Sequence, residues 1–248
     1  MPLISIVMPC FNSEEFIKDS ISSVISQTFT DWELIISDNG SSDRTAEIIL
    51  VFMKVDQRIK LIRFPNKIGV SAARNSCLDS AKGDYIAFLD SDDLWDPTFL
   101  DEMYNFSVKN NYDFCCASYR IFDQDSKSLK KDFIVPLRAS YQDILKINTI
   151  SCLTAFVKKD LIGELRMQGQ LNEDFLFWLH LLKKTKYVNG VLKTLATYNL
   201  RKGSSSSNKF KMAFARWKVY RYGEGFSFQR SLYYFLHYLY YGFKKYYF

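Results

Sequence analysis

The 248-residue sequence predicts an α/β fold, a mostly parallel sheet with helices on both faces. Short apolar runs recur between residue 3 and residue 90, and stretches of helical periodicity separate them instead of tight hairpin turns. The runs are apolar nearly throughout, as strands buried on both faces are, and do not alternate as a half-exposed sheet does. No fixed-period repeat interrupts this rhythm, so a solenoid or propeller is excluded.

Each element has its own justification. "LISIVMP" (3–9) reads as the first buried strand. "NSEEFIKDSISSVISQ" follows with helical spacing, Asn12 and Glu15 standing at capping-box distance. "WELIISD" is a second strand, after which Asp43 can cap a helix to about Val55. "IKLIRF" is a third strand, "GVSAARNSCLDSA" a third helix and "DYIAFLD" a fourth strand. Beyond Asp93 the rhythm changes. Asp96-Pro97 predicts a helix start with Asp96 as the cap, running to about Asn110. "YDFCCASYRIF" is a strand, residues 121–135 form a polar hairpin or irregular excursion, and "SCLTAFVKK" is another strand. "NEDFLFWLHLLKK" is an amphipathic helix and "YVNGVLKTLATYNL" is strand-like. The Ser-rich "KGSSSSNK" is the clearest linker.

Composition narrows the function classes. Hydrophobic residues make up 48% and charged ones 24%, ordinary for a globular chain, but aromatic residues reach 17%. The net charge of +6 is uneven: residues 201–248 hold ten Lys/Arg against one acid, Glu224, leaving residues 1–200 at −3. A mildly acidic body with a basic aromatic tail points to an anionic partner for the tail. Five cysteines without C-x-x-C or zinc spacing fit reduced, buried thiols in a cytosolic protein. "MPLISIVMPCFN" lacks a basic leader and reads as a strand. No run of about 18 apolar residues is present, so no spanning helix is expected.

"YIAFLDSDD" is where chemistry concentrates. In open α/β sheets ligands bind outside the carboxyl ends of the strands. Asp38 ends the second strand, and Asp90 and Asp92 end the fourth. Residues two apart in an extended segment point the same way, so Asp90 and Asp92 can converge. A few hard oxygens of this kind suit Mn2+ or Mg2+, with substrate phosphates and water completing the shell. Asp93 points elsewhere and is read as a loop-solvating or helix-capping acid. His180 and His237 have no metal-ligand spacing, and nucleophile elbows, Walker A and dinucleotide-binding motifs are absent.

The segments "SIVMPCFNSEEFIKDSISSVISQTFTDWELIISDNGSSDRT" and "NKIGVSAARNSCLDSAKGDYIAFLDSDDLWDP" together resemble the nucleotide-sugar half of the family 2 glycosyltransferases, inverting enzymes of GT-A fold. The resemblance implies a Rossmann-like sheet in a GT-A catalytic domain over 1–200, with a nucleotide-sugar half (1–95) and an acceptor half (96–200). Basic aromatic helices would follow over 201–248. It implies that Asp38 reads a uracil ring, that the turn of Pro9, Asn12 and Glu14 borders the same base, and that Arg74 of "ARN" lies near the nucleotide. Asp90 would contact the ribose and Asp92 the metal. "LNEDFLFWL" resembles the family's acidic pair at the acceptor mouth, making Asp174 the general base with Glu173 beside it. Acids in a helix's first turn are also favoured by the dipole, so position alone does not separate the two roles. "YNLRKGSSS" resembles a segment where a basic residue, here Arg201 or Lys202, approaches the diphosphate. The chain reads "SDNGSSD" where the common family form is "DDGSTD", so a role for Asn39 does not carry over.

The implied reaction is one in-line displacement at the anomeric carbon, giving a β-linked product from an α-linked donor. In the tail, "KFKMAFARWKVYRYG" places Phe210, Ala213, Phe214, Trp217 and Tyr220 on one helical face, with Arg216 among the basic residues elsewhere or at its border. "SLYYFLHYLYYGFKKYYF" is aromatic almost all round and ends with Lys244 and Lys245. Such helices suit the lipid headgroup layer, and the charge lacks a nucleic-acid recognition motif. The expected acceptor is a sugar such as GlcNAc on a polyprenyl diphosphate, in surface-polysaccharide (O-antigen or capsule) synthesis. The expected location is peripheral, on the cytoplasmic face of the inner membrane. Two rival readings remain: a haloacid-dehalogenase-like phosphatase with Asp90 as nucleophile, and a non-catalytic nucleotide-sugar-binding protein. The phosphatase expects Thr or Val where this chain has Leu94.

Overall fold

A computed structural model of the chain describes residues 2–169, 172–201 and 208–247, with backbone alone over 242–247. Most of the "KGSSSSNK" linker, Lys202 included, and the side chains of Lys244 and Lys245 lie outside the described residues. The first half alternates as expected: β1 (Ile4–Cys10), α1 (Ile17–Ile25), β2 (Trp32–Asp38), α2 (Thr45–Val55), β3 (Ile59–Arg63), α3 (Val70–Ser80) and β4 (Tyr85–Phe88). The second half is less regular. It holds β5 (Leu94–Trp95), α4 (Phe99–Asn110), β6 (Phe114–Asp123), β7 (Ser128–Leu129), β8 (Arg138–Ser140) and α5 (Tyr141–Lys146), then β9 (Phe156–Lys158), α6 (Lys159–Ile162), α7 (Glu173–Leu182) and β10 (Tyr187–Leu200). Two tail helices follow, α8 (Lys209–Lys218) and α9 (Phe228–Tyr247), joined through a π-helical turn over Val219–Gly223.

The strands make a single sheet in the order β3-β2-β1-β4-β9-β6-β10-β5, with β7 added to β6 and β8 to β10. Pairing is parallel from β3 to β4, β9 is antiparallel to both its neighbours, and β6 and β10 are parallel again. Successive residues of the first strands enter opposite cores. Val7, Ile35, Ile86 and Phe88 pack on one side of the sheet, and Ile6, Met8, Leu34, Ile36 and Ala87 on the other. Burial on both faces is the physical reason these strands are continuously apolar. All five cysteines are buried free thiols.

The register sets out the site. Cys10 pairs with Asp38, and Val7 pairs with Phe88. Because β1 lies between β2 and β4, Asp38 and Asp90 flank its carboxyl end.

Several local expectations are corrected. Asn12 and Glu15 form no capping box; Asn12 has φ 48° and its side-chain oxygen accepts from the Ser42 amide at 3.0 Å. Asp96 does not cap α4. Its carboxylate takes both ends of the Arg120 guanidinium, at 2.6 and 2.9 Å, a bidentate charge-assisted pair that outweighs a cap. "SCLTAFVKK" is only partly strand, since Cys152–Thr154 form a 3-10 turn before β9.

The tail also differs from its helical-wheel picture. Phe210 and Phe214 are exposed, but Tyr220 is fully buried and donates its hydroxyl to the Leu145 carbonyl at 2.7 Å. The inward face is already set within α8, where Ala215 is buried. Arg216, expected among the outward basic residues, is buried. Val219, Tyr220, Phe226 and Tyr234 join the core that contains α5 and α7. Among the described residues no helix is long and apolar enough to cross a membrane.

Candidate active site

At the end of β2, Asp38 is wholly buried. Its Oδ1 accepts from the Ser41 amide at 2.9 Å, while Oδ2 has no hydrogen-bond partner among the described residues and sees only Arg63 Nε at 3.5 Å. A buried carboxylate oxygen left this way is suited to an incoming N–H donor. The loop after it is held open by Asn39, whose Oδ1 accepts from the amides of Ile68 and Gly69 at 2.7 and 3.1 Å. Gly40 has φ +80°, and a Cβ there would lie 2.6 Å from the Asn66 carbonyl carbon, so the two loops approach closely only because this residue is glycine. The role that the family resemblance withheld from Asn39 is therefore a loop clamp in this chain.

The turn after β1 is zipped to the same loop. The Asn12 amide donates to Ser41 Oγ at 2.9 Å, the Ser13 amide to Thr45 Oγ1 at 2.8 Å, and the Glu14 amide to Asp43 Oδ2 at 3.1 Å. The Glu14 carboxylate accepts from the Arg44 amide at 2.9 Å, beside the start of α2. Pro9, next to Ser37 of β2, is buried near the end of β1, just before this turn. Ser13 and Ser91 hydroxyls sit 2.8 Å apart and tie the turn to the segment that carries the acids of β4.

Three carboxylates in a row have three different partners. Asp90 accepts from Arg74 Nη2 at 2.7 Å; Arg74 Nη1 donates to Glu173 at 2.7 Å. One buried guanidinium on α3 thus bridges the end of β4 and the first turn of α7. Burial would lower the Arg74 pKa, but the fields of Asp90, Cys152 and Glu173 outweigh it and hold it well above its ordinary value. Asp92 is reached by Arg201, whose Nε and Nη2 both contact Oδ2, at 3.0 and 2.8 Å. Burial and then the Asp90 charge raise the Asp92 pKa. Asp93 is not the solvated acid expected. It is 1% exposed, accepts from the Asn199 amide at 2.9 Å, and is raised well above the usual carboxylate range by burial and by Asp92 and Asp90. Asn199 also donates its side-chain amide to the Asp92 carbonyl at 2.5 Å. These contacts staple the acid-bearing loop to the end of β10.

Asp174 and Glu173 open α7. Glu173 is mostly buried, and its pKa is raised by burial against the opposing field of Arg74. Asp174 is half-buried, and its Oδ1 accepts from the Phe175 amide at 2.7 Å. Through Arg74 the same network connects Asp90 to the residue beside Asp174. A cleft of about 380 Å³ opens next to Asp92, walled by Phe16, Leu94, Arg120, Phe122 and Asn199.

The expected residues therefore fall into one connected region, with Asp38 at one end and Asp174 at the other. Asn199, Cys152 and Arg216 were missed. Nothing local marks Asn199 or Cys152. Arg216 carried only a weak signal, its place elsewhere or at the border of the helical wheel's apolar face.

As to metal, the described residues contain no cluster of three or more His, Cys, Asp or Glu side chains that could hold an ion. Asp92 alone, both Arg201 contacts being on its Oδ2, fits a single-carboxylate anchor whose shell is completed by a ligand's oxygens.

Residues 5–162 match the family described as Glycosyl transferase family 2. The chain is 36% identical over 238 residues to the putative teichuronic acid biosynthesis glycosyltransferase TuaG of Bacillus subtilis, covering 96% of this chain and 94% of that protein. It is 38% identical over 220 residues, 88% and 85% of the two chains, to an Escherichia coli protein, WfgD. That protein is named as a UDP-Glc:alpha-D-GlcNAc-diphosphoundecaprenol beta-1,3-glucosyltransferase. Among solved structures, S. aureus TarS 1–349 in complex with UDP-GlcNAc superposes with a TM-score of 0.73 at 17% identity, over 96% of this chain and 72% of that one. A mannosyltransferase from Pyrobaculum calidifontis in complex with GDP-Man and Mn2+ gives a TM-score of 0.65 at 15% identity, over 82% and 58%. At such identities the two structures speak to the fold, which is GT-A.

Proposed function

Since the chain belongs to glycosyl transferase family 2, we propose that it transfers a hexose from a UDP-sugar, with inversion, to a sugar such as GlcNAc carried on a polyprenyl diphosphate. The observation that carries the reading is the display of Asp38 at the end of β2 and of Asp90 and Asp92 just beyond β4, on either side of β1, with Asp90 joined through Arg74 to the first turn of α7. The activity for which WfgD is named favours glucose over galactose as the donor sugar, and GlcNAc as the acceptor sugar. The product would be a β-linked disaccharide unit of a surface polysaccharide, an O-antigen or capsule. We read residues 1–95 as the nucleotide-sugar half, 96–200 as the acceptor half and 201–248 as a tail for the membrane surface.

In this reading Asp38 Oδ2 accepts from the uracil N–H, with Pro9, Asn12 and Glu14 bordering the ring, and Asp90, oriented by Arg74, accepts from the ribose. Asp174 takes the proton of the acceptor hydroxyl as that oxygen attacks, and Glu173 keeps the adjacent Arg74 paired. Asp92 would hold Mn2+ or Mg2+, which supplies positive charge beside the leaving diphosphate. Arg201 sits where it can turn from Asp92 to that diphosphate once the carboxylate is otherwise engaged. Replacing Asp92 with Ala is expected to abolish the difference in UDP affinity with and without Mn2+, measured by calorimetry. An undiminished difference rules out the metal assignment.

The exposed stripe of α9, Phe228, Leu232, Leu236, Leu239 and Tyr240, supports peripheral membrane docking together with Phe210 and Phe214 of α8. Removing residues 224–248 would also strip Phe226 and Tyr234 from the core, so the cleaner test is substitution. Changing Phe210, Phe214, Leu232 and Leu236 together to Ser is expected to release the chain from anionic vesicles in a flotation assay without lowering its melting temperature. Undiminished flotation rejects the docking surface.

A further inference from the structure

Arg216 is the buried cation that the reading above leaves unused. It is 6% exposed, and no carboxylate lies within ion-pair distance of it among the described residues. Its guanidinium carbon lies 3.3 Å from the centre of the Phe175 ring. Nη2 donates to Asn172 Oδ1 at 3.2 Å, and Nε has no hydrogen-bond partner among the described residues. Stacking on an aromatic face offsets part of the cost of removing a guanidinium from water, but a buried charge remains unfavourable without a counter-ion.

The surroundings are built, not incidental. Asn172 holds a left-handed conformation at φ 56°, uncommon for a residue other than glycine, and donates its own side-chain amide to the Met212 carbonyl of α8. Tyr220 anchors the following turn to Leu145. These contacts fix Arg216 against the two residues that flank the Glu173–Asp174 pair, Asn172 and Phe175. Burial pulls the Arg216 pKa below its ordinary value, opposed by Tyr220 and then by Asp174. On the other side of α8, Phe210 and Phe214 are exposed. The guanidinium therefore stands between the carboxylate at the acceptor mouth and the helix face offered to lipid.

We propose that Arg216 forms an anion subsite that binds the phosphate next to the acceptor sugar, so that the sugar hydroxyl is presented to Asp174. The proposal rests on the acceptor being a lipid-diphosphate sugar. It makes the tail helix part of acceptor recognition: the phosphate supplies the missing counter-charge, and Arg216 is a binding residue, not a proton carrier.

The test compares two acceptors with the full chain, a lipid-diphosphate GlcNAc and the same lipid as a phosphate-free GlcNAc glycoside. Arg216→Met keeps the stem on Phe175, and Arg216→Lys keeps the charge. With Arg216→Met, kcat/KM for the diphosphate acceptor is expected to fall about 10- to 100-fold, through KM. The phosphate-free acceptor and the KM for the UDP-sugar should be unchanged, and Arg216→Lys should recover part of the loss. An equal loss on both acceptors, or no loss on either, overturns the subsite. Binding of GlcNAc-1-phosphate to the UDP-saturated chain separates the two readings. If the wild type uses neither acceptor but binds this phosphate, and Arg216→Met does not, the subsite stands and the lipid-acceptor reading falls. Equal binding by both overturns the subsite itself.

Discussion

Asp174→Asn is expected to lower the transfer rate by about 10²- to 10⁴-fold, the range a positioned general base contributes, while UDP binds as it does to the wild type. The amide keeps the size of the carboxylate and can still accept from the Phe175 amide, which Asp174 Oδ1 engages at 2.7 Å. What it loses is the ability to take a proton. Among the described residues Asp174 makes no hydrogen bond to the side chains around Asp38, so UDP binding at the proposed nucleotide site should not register the change. The measurement is a transfer assay beside a calorimetric UDP titration. Wild-type turnover would remove Asp174 from the chemistry, and a parallel loss of UDP affinity would mean that the substitution had disturbed the Arg74 network instead. The same variant separates an enzyme from a nucleotide-sugar-binding protein, since the latter would show no rate to lose.

Arg74→Met is expected to be the most damaging single change to stability, by about 3–5 kcal/mol, as for removal of one member of a buried ion pair. Arg74 is almost completely buried and is shared by two acids, Asp90 and Glu173, each at 2.7 Å. Methionine fills much of the space but leaves Glu173 buried without a counter-charge and Asp90 without its orienting donor. Arg74→Lys should recover little, because an ammonium lacks the planar fork that reaches two carboxylates in different directions. Equilibrium urea unfolding of the wild type, Arg74→Met, Glu173→Gln and the double variant checks the claim. The double variant should lose less than the sum of the singles. A loss below about 1 kcal/mol for Arg74→Met would show that the bridge is not holding α3, β4 and α7 together. UDP affinity should fall as well, since Asp90 loses the contact that fixes it.

The largely local part of the architecture was readable in advance. The strands of the first half are recognisable because burial on both sheet faces demands unbroken apolar runs, and turns between strand and helix leave their own residue signature. Their carboxyl ends, and hence Asp38, Asp90 and Asp92, could be placed from that alone. The second half was harder. Its antiparallel β9 is three residues long and its 3-10 turn is no longer, so neither is long enough to display a period. Asp96 shows the same limit at one residue. Its spacing before Pro97 is an ordinary helix start, but Arg120, distant in the chain, offered a stronger partner.

What the sequence by itself determined is the α/β alternation, the family and the strand ends at which acids are displayed. The alternation and the strand ends follow from local periodicity and residue types at short spacing, and the family from the resemblance of whole segments of the first half. Only the tertiary structure decided how the acids are neutralised: Asp90 and Glu173 by one arginine from α3, Asp92 by Arg201, Asp93 by burial against the Asn199 amide, with Arg216 stacked on Phe175 and, among the described residues, in no ion pair. The physical reason is that a buried charge is settled by whatever the fold brings within a few ångströms of it. Partners 99 and 109 residues apart, as Arg74–Glu173 and Asp92–Arg201 are, leave no trace in any local pattern.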